Sequence, residues 1–328
     1  MTDHRSTTQQ PTRGGLVHRR DCLKALAAGF VAAHAPSLEA GPWRDQAKKN
    51  IRLGIDGGVY ARFPVEEAAS RIKDGGFRSV LCSYNFADAR LDPLANDWKP
   101  AEKIAACFER HGITIAAAFG YANLIDPNSA RLEREKARMH ALLENWKRLG
   151  CNNISTETGT FNESSPWMDS PKNFTEEGYL AARVALEKLA NVAEKFGAVV
   201  SIEAYWRNCI DSIERADRLF REVSCPALKL VMDPCNFYRK EDLPKMQPML
   251  EEMFKRLGGR IAVAHAKDVK AAPSGTDLPA AGLGVLDYPL FLRLLAQLER
   301  PMDLILEHLT FEDVPRARAY VLGQLEKV

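Results

Sequence analysis

The chain has 328 residues, 46% hydrophobic and 27% charged, with a formal net charge of +2 and seven cysteines. These values describe a globular protein with enough apolar residues for a large core, and they exclude a disordered or fibrous chain. Arg5, Arg13, Arg19, Arg20 and Lys24 stand against only Asp3 and Asp21 in residues 1–35, so the remainder carries a formal charge of −1; with no Lys/Arg block to track phosphates, nucleic acid is not an expected partner.

In chain order, residues 1–35 have a basic polar start, an apolar run from Leu23 to Ala33 and small residues before a cut expected after Ala35. This is the layout of a secretory signal peptide, and the run is too short for a stable membrane anchor. Arg19-Arg20 followed by Leu23-Lys24 resembles the twin-arginine export signal, with Asp21 and Cys22 departing from its fuller form. The expectation is therefore export in a folded state to the periplasm or another extracytoplasmic space. Residues 36–50 read as a linker. Beyond the signal segment, Cys82, Cys107, Cys151, Cys209, Cys225 and Cys235 form no CxxC pair and read as small buried hydrophobes, not a disulfide scaffold.

From residue 51 onward a short apolar run, a polar loop, an amphipathic stretch and a glycine recur. Strands are predicted at 51–56, 79–84, 114–120, 153–158, 199–205, 228–233, 261–268 and 304–309, with stretches of helical periodicity between them. Strict alternation of strand and helix requires a parallel sheet with helices outside it. Eight units match a (β/α)8 barrel, a TIM barrel of usual size about 250 residues. No GxGxxG follows the first strand, which disfavours a dinucleotide-binding open sheet. The fold class is thus α/β, one barrel over residues 51–328. The longer inserts, 85–100, 159–174 and 268–287, all follow strands and so fall at the mouth.

In a barrel the C-terminal strand tips converge. Strand five ends in Glu203, strand six in Asp233, strand seven carries His265 and strand eight carries Glu307. Three crowded carboxylates repel one another and take up protons unless a cation lies between them. Three oxygens and one imidazole suit Mn²⁺, Mg²⁺ or Co²⁺, and Zn²⁺ is also accepted by such a set. Lys267, two positions beyond His265, faces the same way and either holds a substrate oxygen or forms an ion pair. Glu157 and Asp56 end strands four and one, placed to bind substrate hydroxyls or neutralise neighbours. Tyr205, Trp206, Phe237 and Tyr238 either stack on a sugar face or wall the barrel. By alternation His308 points away from Glu307 and reads as structural, and the GLG at 282–284 reads as a turn before a helix starting near Asp287.

With IEAY at strand five, VMDPCN at strand six, AHAKD at strand seven, PAAGLGVLDY after it and LILEH at strand eight, residues 51–328 resemble the xylose-isomerase-like TIM barrels, the sugar phosphate isomerase/epimerase family. The resemblance implies that Glu203, Asp233, His265 and Glu307 bind one divalent ion, and that Glu203 and Glu307 double as the acid/base pair. It implies a metal-dependent isomerase or epimerase acting on a keto-sugar through an enediolate. Three positions depart from the family pattern: Asn236 replaces a histidine, Cys209 a second glutamate and Ala271 a substrate-binding arginine. Lys267, Glu157, Trp206 and Asn236 are the expected substrate-binding residues. Two alternatives stand beside this reading, an exported 3-keto-glycoside lyase that eliminates a β-substituent on the same metal site, and a non-catalytic sugar-binding barrel. The expected partner is a small carbohydrate, and a homo-oligomer is compatible with the sequence.

Overall fold

The computed structural model describes residues 43–328, so the expected signal segment 1–35 lies outside the described residues. Part of the segment read as a linker is helical: α1 (Arg44–Asn50) buries Ala47 and Asn50 and leads directly into the first strand. A seven-residue helix with three lysine or arginine side chains gives little sequence signal, because tertiary packing supplies most of its stability.

Eight strands follow: β1 (Ile51–Asp56), β2 (Ser79–Cys82), β3 (Thr114–Phe119), β4 (Asn153–Glu157), β5 (Val199–Glu203), β6 (Leu228–Met232), β7 (Ile261–Ala266) and β8 (Met302–Leu306). They close in the order β1-β8-β7-β6-β5-β4-β3-β2, every pair parallel. Each strand is followed by a helix, α2 (Val65–Asp74), α3 (Lys99–Arg110), α4 (Ser129–Glu144), α5 (Glu176–Phe196), α6 (Ile213–Glu222), α7 (Met246–Leu257), α8 (Tyr288–Ala296) and α9 (Val314–Leu325). The starts are set by local chemistry. The Thr175, Ser212 and Asp287 side chains accept from the backbone N–H of Gly178, Arg215 and Leu290 at 3.1, 3.3 and 3.0 Å, which satisfies donors that the first helical turn leaves free.

The strands are buried on both faces, as parallel strands covered by helices must be. Outward side chains join the helices in one large apolar layer, while Leu81, Ala117, Val231, Val263 and Ile305 fill the barrel interior. Between β4 and β5 the interior is polar, with Ser155 Oγ and Ser201 Oγ 3.0 Å apart. Gly54 of β1 faces this interior: a Cβ there would run into Ser79 Oγ and Ile305 Cδ1 and lie 2.8 Å from the Ser79 carbonyl oxygen. Gly54→Ala is therefore expected to destabilise the barrel by about 1–3 kcal/mol through overpacking. Urea unfolding checks this, and an unchanged midpoint would refute it.

The loop after β7 explains why that strand ends in polar residues. Asp268 accepts from the backbone N–H of Val269, Gly282 and Leu286 at 2.9, 3.0 and 2.9 Å, tying the return segment onto the barrel rim. The segment carries a short ribbon, Lys270–Ala272 paired antiparallel with Gly275–Asp277, and Ala271 lies in it. All six cysteines of the described residues are free and buried. No helix of the described residues is long and apolar enough to cross a membrane.

Candidate metal centre

The alternation of the strands sends Glu203, His265, Lys267 and Glu307 inward at the mouth. Asp233 follows the last residue of β6 and caps a 3₁₀ turn by accepting from Cys235 N at 3.1 Å. Glu203, Asp233, His265 and Glu307 each offer a ligand atom, and these atoms all lie within 4.8 Å of one another. Asp233 and His265 are fully buried, and the Glu307 side chain is 11% exposed. His265 Nδ1 faces Glu307 Oε2 at 3.1 Å, Glu203 Oε2 at 3.6 Å and Asp233 Oδ2 at 3.9 Å, yet neither ring nitrogen is hydrogen-bonded. The carboxylates beside Nδ1 stabilise a charged ring, while Nε2 has no protein partner. Ligand atoms held at about 2.0–2.6 Å from one ion are themselves roughly 3–5 Å apart, so the four donors fit a single divalent cation by spacing as well as by chemistry.

Lys267 completes the charge balance. Its Nζ lies 2.6 Å from Asp233 Oδ2, 2.7 Å from Glu307 Oε1 and 3.7 Å from Glu203 Oε1. Of the two readings open to it, the ion pair is the arrangement seen. Burial pulls Lys267 and His265 down, but the surrounding carboxylates outweigh it and hold both well above their ordinary values. Burial pushes Glu203 and Glu307 up, and the His265 and Lys267 charges reverse the direction and leave both below the usual carboxylate range. Asp233 is raised, by burial and by its two neighbouring carboxylates, despite Lys267.

Above the quartet lies a cavity of about 400 Å³. Asp56, Glu157, Asn236 and Lys267 line it, together with Tyr205. Asn236 Nδ2 donates to Glu203 Oε1 at 2.5 Å, and the Tyr121 hydroxyl donates to Glu203 Oε2. Both oxygens of Glu203 are thus oriented. Trp206 is placed elsewhere: it borders a separate hollow with Phe174 and Arg239, its Nε1 donates to Thr276 Oγ1 at 3.2 Å, and Arg207 covers its ring. It does not line the cavity: Trp206 stands an odd three residues past the inward-facing Glu203, so the strand alternation already turns it away, whereas Tyr205, two past, keeps the inward side. Cys209 is fully buried outside the cavity, with its thiol 3.7 Å from Asn173 Oδ1.

Several cavity residues carry little sequence signal. Phe119, Tyr121, Trp167, Asn208, Leu278 and His308 all border it. Phe119 and Tyr121 follow β3, and Trp167 lies in the insert after β4, whose path the sequence alone does not specify. His308 differs from the alternation-based reading because its φ is +54°, which breaks the strand period and brings the ring to the mouth. Its Nδ1 is 2.9 Å from the Leu278 carbonyl oxygen. A second grouping, Glu66, Cys107 and His111, lies on the outer helices, where Arg110 pairs with Glu66 Oε2 at 2.9 Å and so neutralises it.

Glu157 is 3% exposed and its Oε2 has no hydrogen-bond partner. Burial, reinforced by Glu203, pushes its carboxyl up to about 8. Since the folded value exceeds the ordinary one, the stability associated with the protonated form is complete below about pH 4.5 and is lost as the pH rises through 8. Glu157→Gln, which stays neutral, is expected to match the wild type near pH 5 and exceed it by about 2–4 kcal/mol at pH 9. Unfolding at the two pH values checks this; an equal difference at both would refute it. Asp56 is raised to about 6, chiefly by burial, while accepting from Gly58 N at 2.8 Å.

The sequence model described as "Xylose isomerase-like TIM barrel" matches residues 66–323. No curated protein matches the sequence. Among solved structures, 3-keto-D-glucoside 4-epimerase, YcjR, from E. coli is similar with 19% identity and a TM-score of 0.63, over 83% of this chain and 99% of that one. A xylose isomerase-like TIM barrel protein from Mycobacterium smegmatis in complex with magnesium is similar at 16% identity and a TM-score of 0.60, over 85% and 98%. The IOLI protein with a binding zinc atom is similar at 16% identity and a TM-score of 0.63, over 84% and 98%. At these identities the likeness to each structure is one of fold.

Proposed function

This chain belongs to the xylose isomerase-like TIM barrel family, and from that premise we propose that it is a divalent-metal-dependent isomerase or epimerase that moves a proton at the carbon beside a keto-sugar carbonyl. The observation that carries this reading is the quartet Glu203, Asp233, His265 and Glu307, a buried imidazole among three carboxylates, at the floor of an open cavity. Its oxygen-rich donors suit Mn²⁺, Mg²⁺ or Co²⁺, and the imidazole admits Zn²⁺. An ion held by these four residues would supply Lewis-acid polarisation of a substrate carbonyl.

The chain's own residues handle the protons. Glu203, ionised and oriented by Tyr121 and Asn236, is placed to take the proton beside the carbonyl. Glu307 lies three strands round the barrel, separated by β6 and β7; it takes a proton from the Lys267 ammonium, 2.7 Å from its Oε1, and passes it to the substrate from the other side, and the proton held by Glu203 then restores Lys267. Return to the same carbon inverts it; return to its neighbour isomerises the sugar. Glu157, protonated near neutral pH, can donate to a substrate hydroxyl, and Lys267 presents an ammonium to a substrate oxygen from the cavity wall. The twin-arginine-like segment supports a location outside the cytoplasm, with a small carbohydrate as the partner.

The test is incubation of Mn²⁺-loaded protein with ketohexoses and 3-keto-glucosides in D₂O, followed by NMR. Deuterium at the carbon beside the carbonyl, abolished by chelator, is the expected result, and the product distinguishes epimer, isomer and eliminated aglycone. Absence of exchange across the panel from metal-loaded protein would overturn the reading.

A further inference from the structure

The cavity over the quartet is not isolated. A second hollow of about 600 Å³ lies between the first turns of α4 and the insert after β4, and Phe119, Tyr121, Glu157 and Trp167 border both hollows. Three of these are aromatic and contiguous: the Phe119 and Tyr121 ring centroids are 4.6 Å apart, those of Tyr121 and Trp167 5.9 Å. Phe119 is 40% exposed and Trp167 46%. Large aromatic side chains left open to solvent beside a polar cavity mark a surface that a ligand covers.

We propose that the substrate is a glycoside of at least two rings, with its reacting ring over the quartet and its second ring stacked on the shelf formed by Phe119, Tyr121 and Trp167. The inference rests on the carbohydrate reading above and extends it to a substrate class. A sugar ring offers an apolar C–H face and a hydroxyl edge. The shelf matches the face, and Glu157, buried at the junction with Oε2 unpartnered, matches the edge, because a hydroxyl there satisfies an oxygen that the protein leaves unpaired. Among the arginines lining the second hollow, Arg131 is paired with Asp126 and Arg138 with Glu135, whereas Arg134 forms no ion pair among the described residues and is free to bond ring hydroxyls.

The experiment is titration calorimetry of the Mn²⁺-loaded full chain with methyl β-D-glucoside, methyl β-cellobioside and methyl β-maltoside. At least one disaccharide is expected to bind tenfold or more tightly than the monosaccharide, with that ratio falling below twofold in both Trp167→Ala and Phe119→Ala. A wild-type ratio near one for both disaccharides, or a ratio retained in both variants, overturns the second-ring site. If none of the three glycosides binds while deuterium exchange on a keto-monosaccharide proceeds, this inference fails and the carbohydrate reading stands. Absence of exchange as well removes both.

Discussion

Glu203→Gln is expected to lower the rate of deuterium exchange beside the carbonyl by roughly 10²–10⁴-fold at saturating Mn²⁺, the range general base removal produces. The substitution keeps the size of the side chain and an oxygen that can accept from Tyr121 or Asn236, while it removes the charge that takes the proton. Because Glu203 also belongs to the quartet, metal content is measured alongside, and the exchange rate is compared per bound ion. A sugar-binding barrel without catalysis predicts a different pattern: no exchange in the wild type, and at most a change in sugar affinity in the variant. Exchange that survives Glu203→Gln within tenfold would move the base to another residue, with Glu307 the next to be tested.

His265→Ala is expected to remove the metal. The wild-type chain purified from metal-replete medium should carry about one equivalent of a divalent ion by elemental analysis, and the variant less than a tenth of that. The imidazole is the sole nitrogen donor of the quartet, and its loss leaves three carboxyl groups with the Lys267 ammonium held among them as a competitor for an ion. The same arrangement sets the pH dependence. Carboxylates hold His265 above its ordinary value, so binding an ion through the neutral ring displaces a proton. Affinity should therefore rise with pH, by about tenfold per pH unit for one displaced proton. A wild-type protein with no stoichiometric ion under these conditions would make the five side chains a charge network and remove the metal-dependent mechanism.

The barrel was legible because its strands are continuous apolar runs and its helices have a stripe of apolar residues, and both periods are properties of the chain itself. The same legibility extends to Glu203, Asp233, His265 and Glu307, each a polar group at the tip of such a run, which the closure of eight strands brings within 4.8 Å. Loop chemistry was harder to read. Trp206 was grouped with Tyr205 as an aromatic near the mouth, but its odd offset from Glu203 turns it away, and only Tyr205 lines the cavity. Phe119, Tyr121 and Trp167, from two different inserts, form one shelf that no spacing in the sequence connects.

The strand-tip side chains that face the barrel axis follow from local pattern alone, since a two-residue period and an apolar strand leave each only one inward direction. The partners those side chains meet come from the folded chain: Lys267 pairs with Asp233 and Glu307, Tyr121 and Asn236 orient Glu203, Asp268 ties down a loop, and His308 turns into the mouth through a left-handed backbone. These depend on loop paths and on distances across the barrel, which are set by packing between segments far apart in the chain and not by any local period.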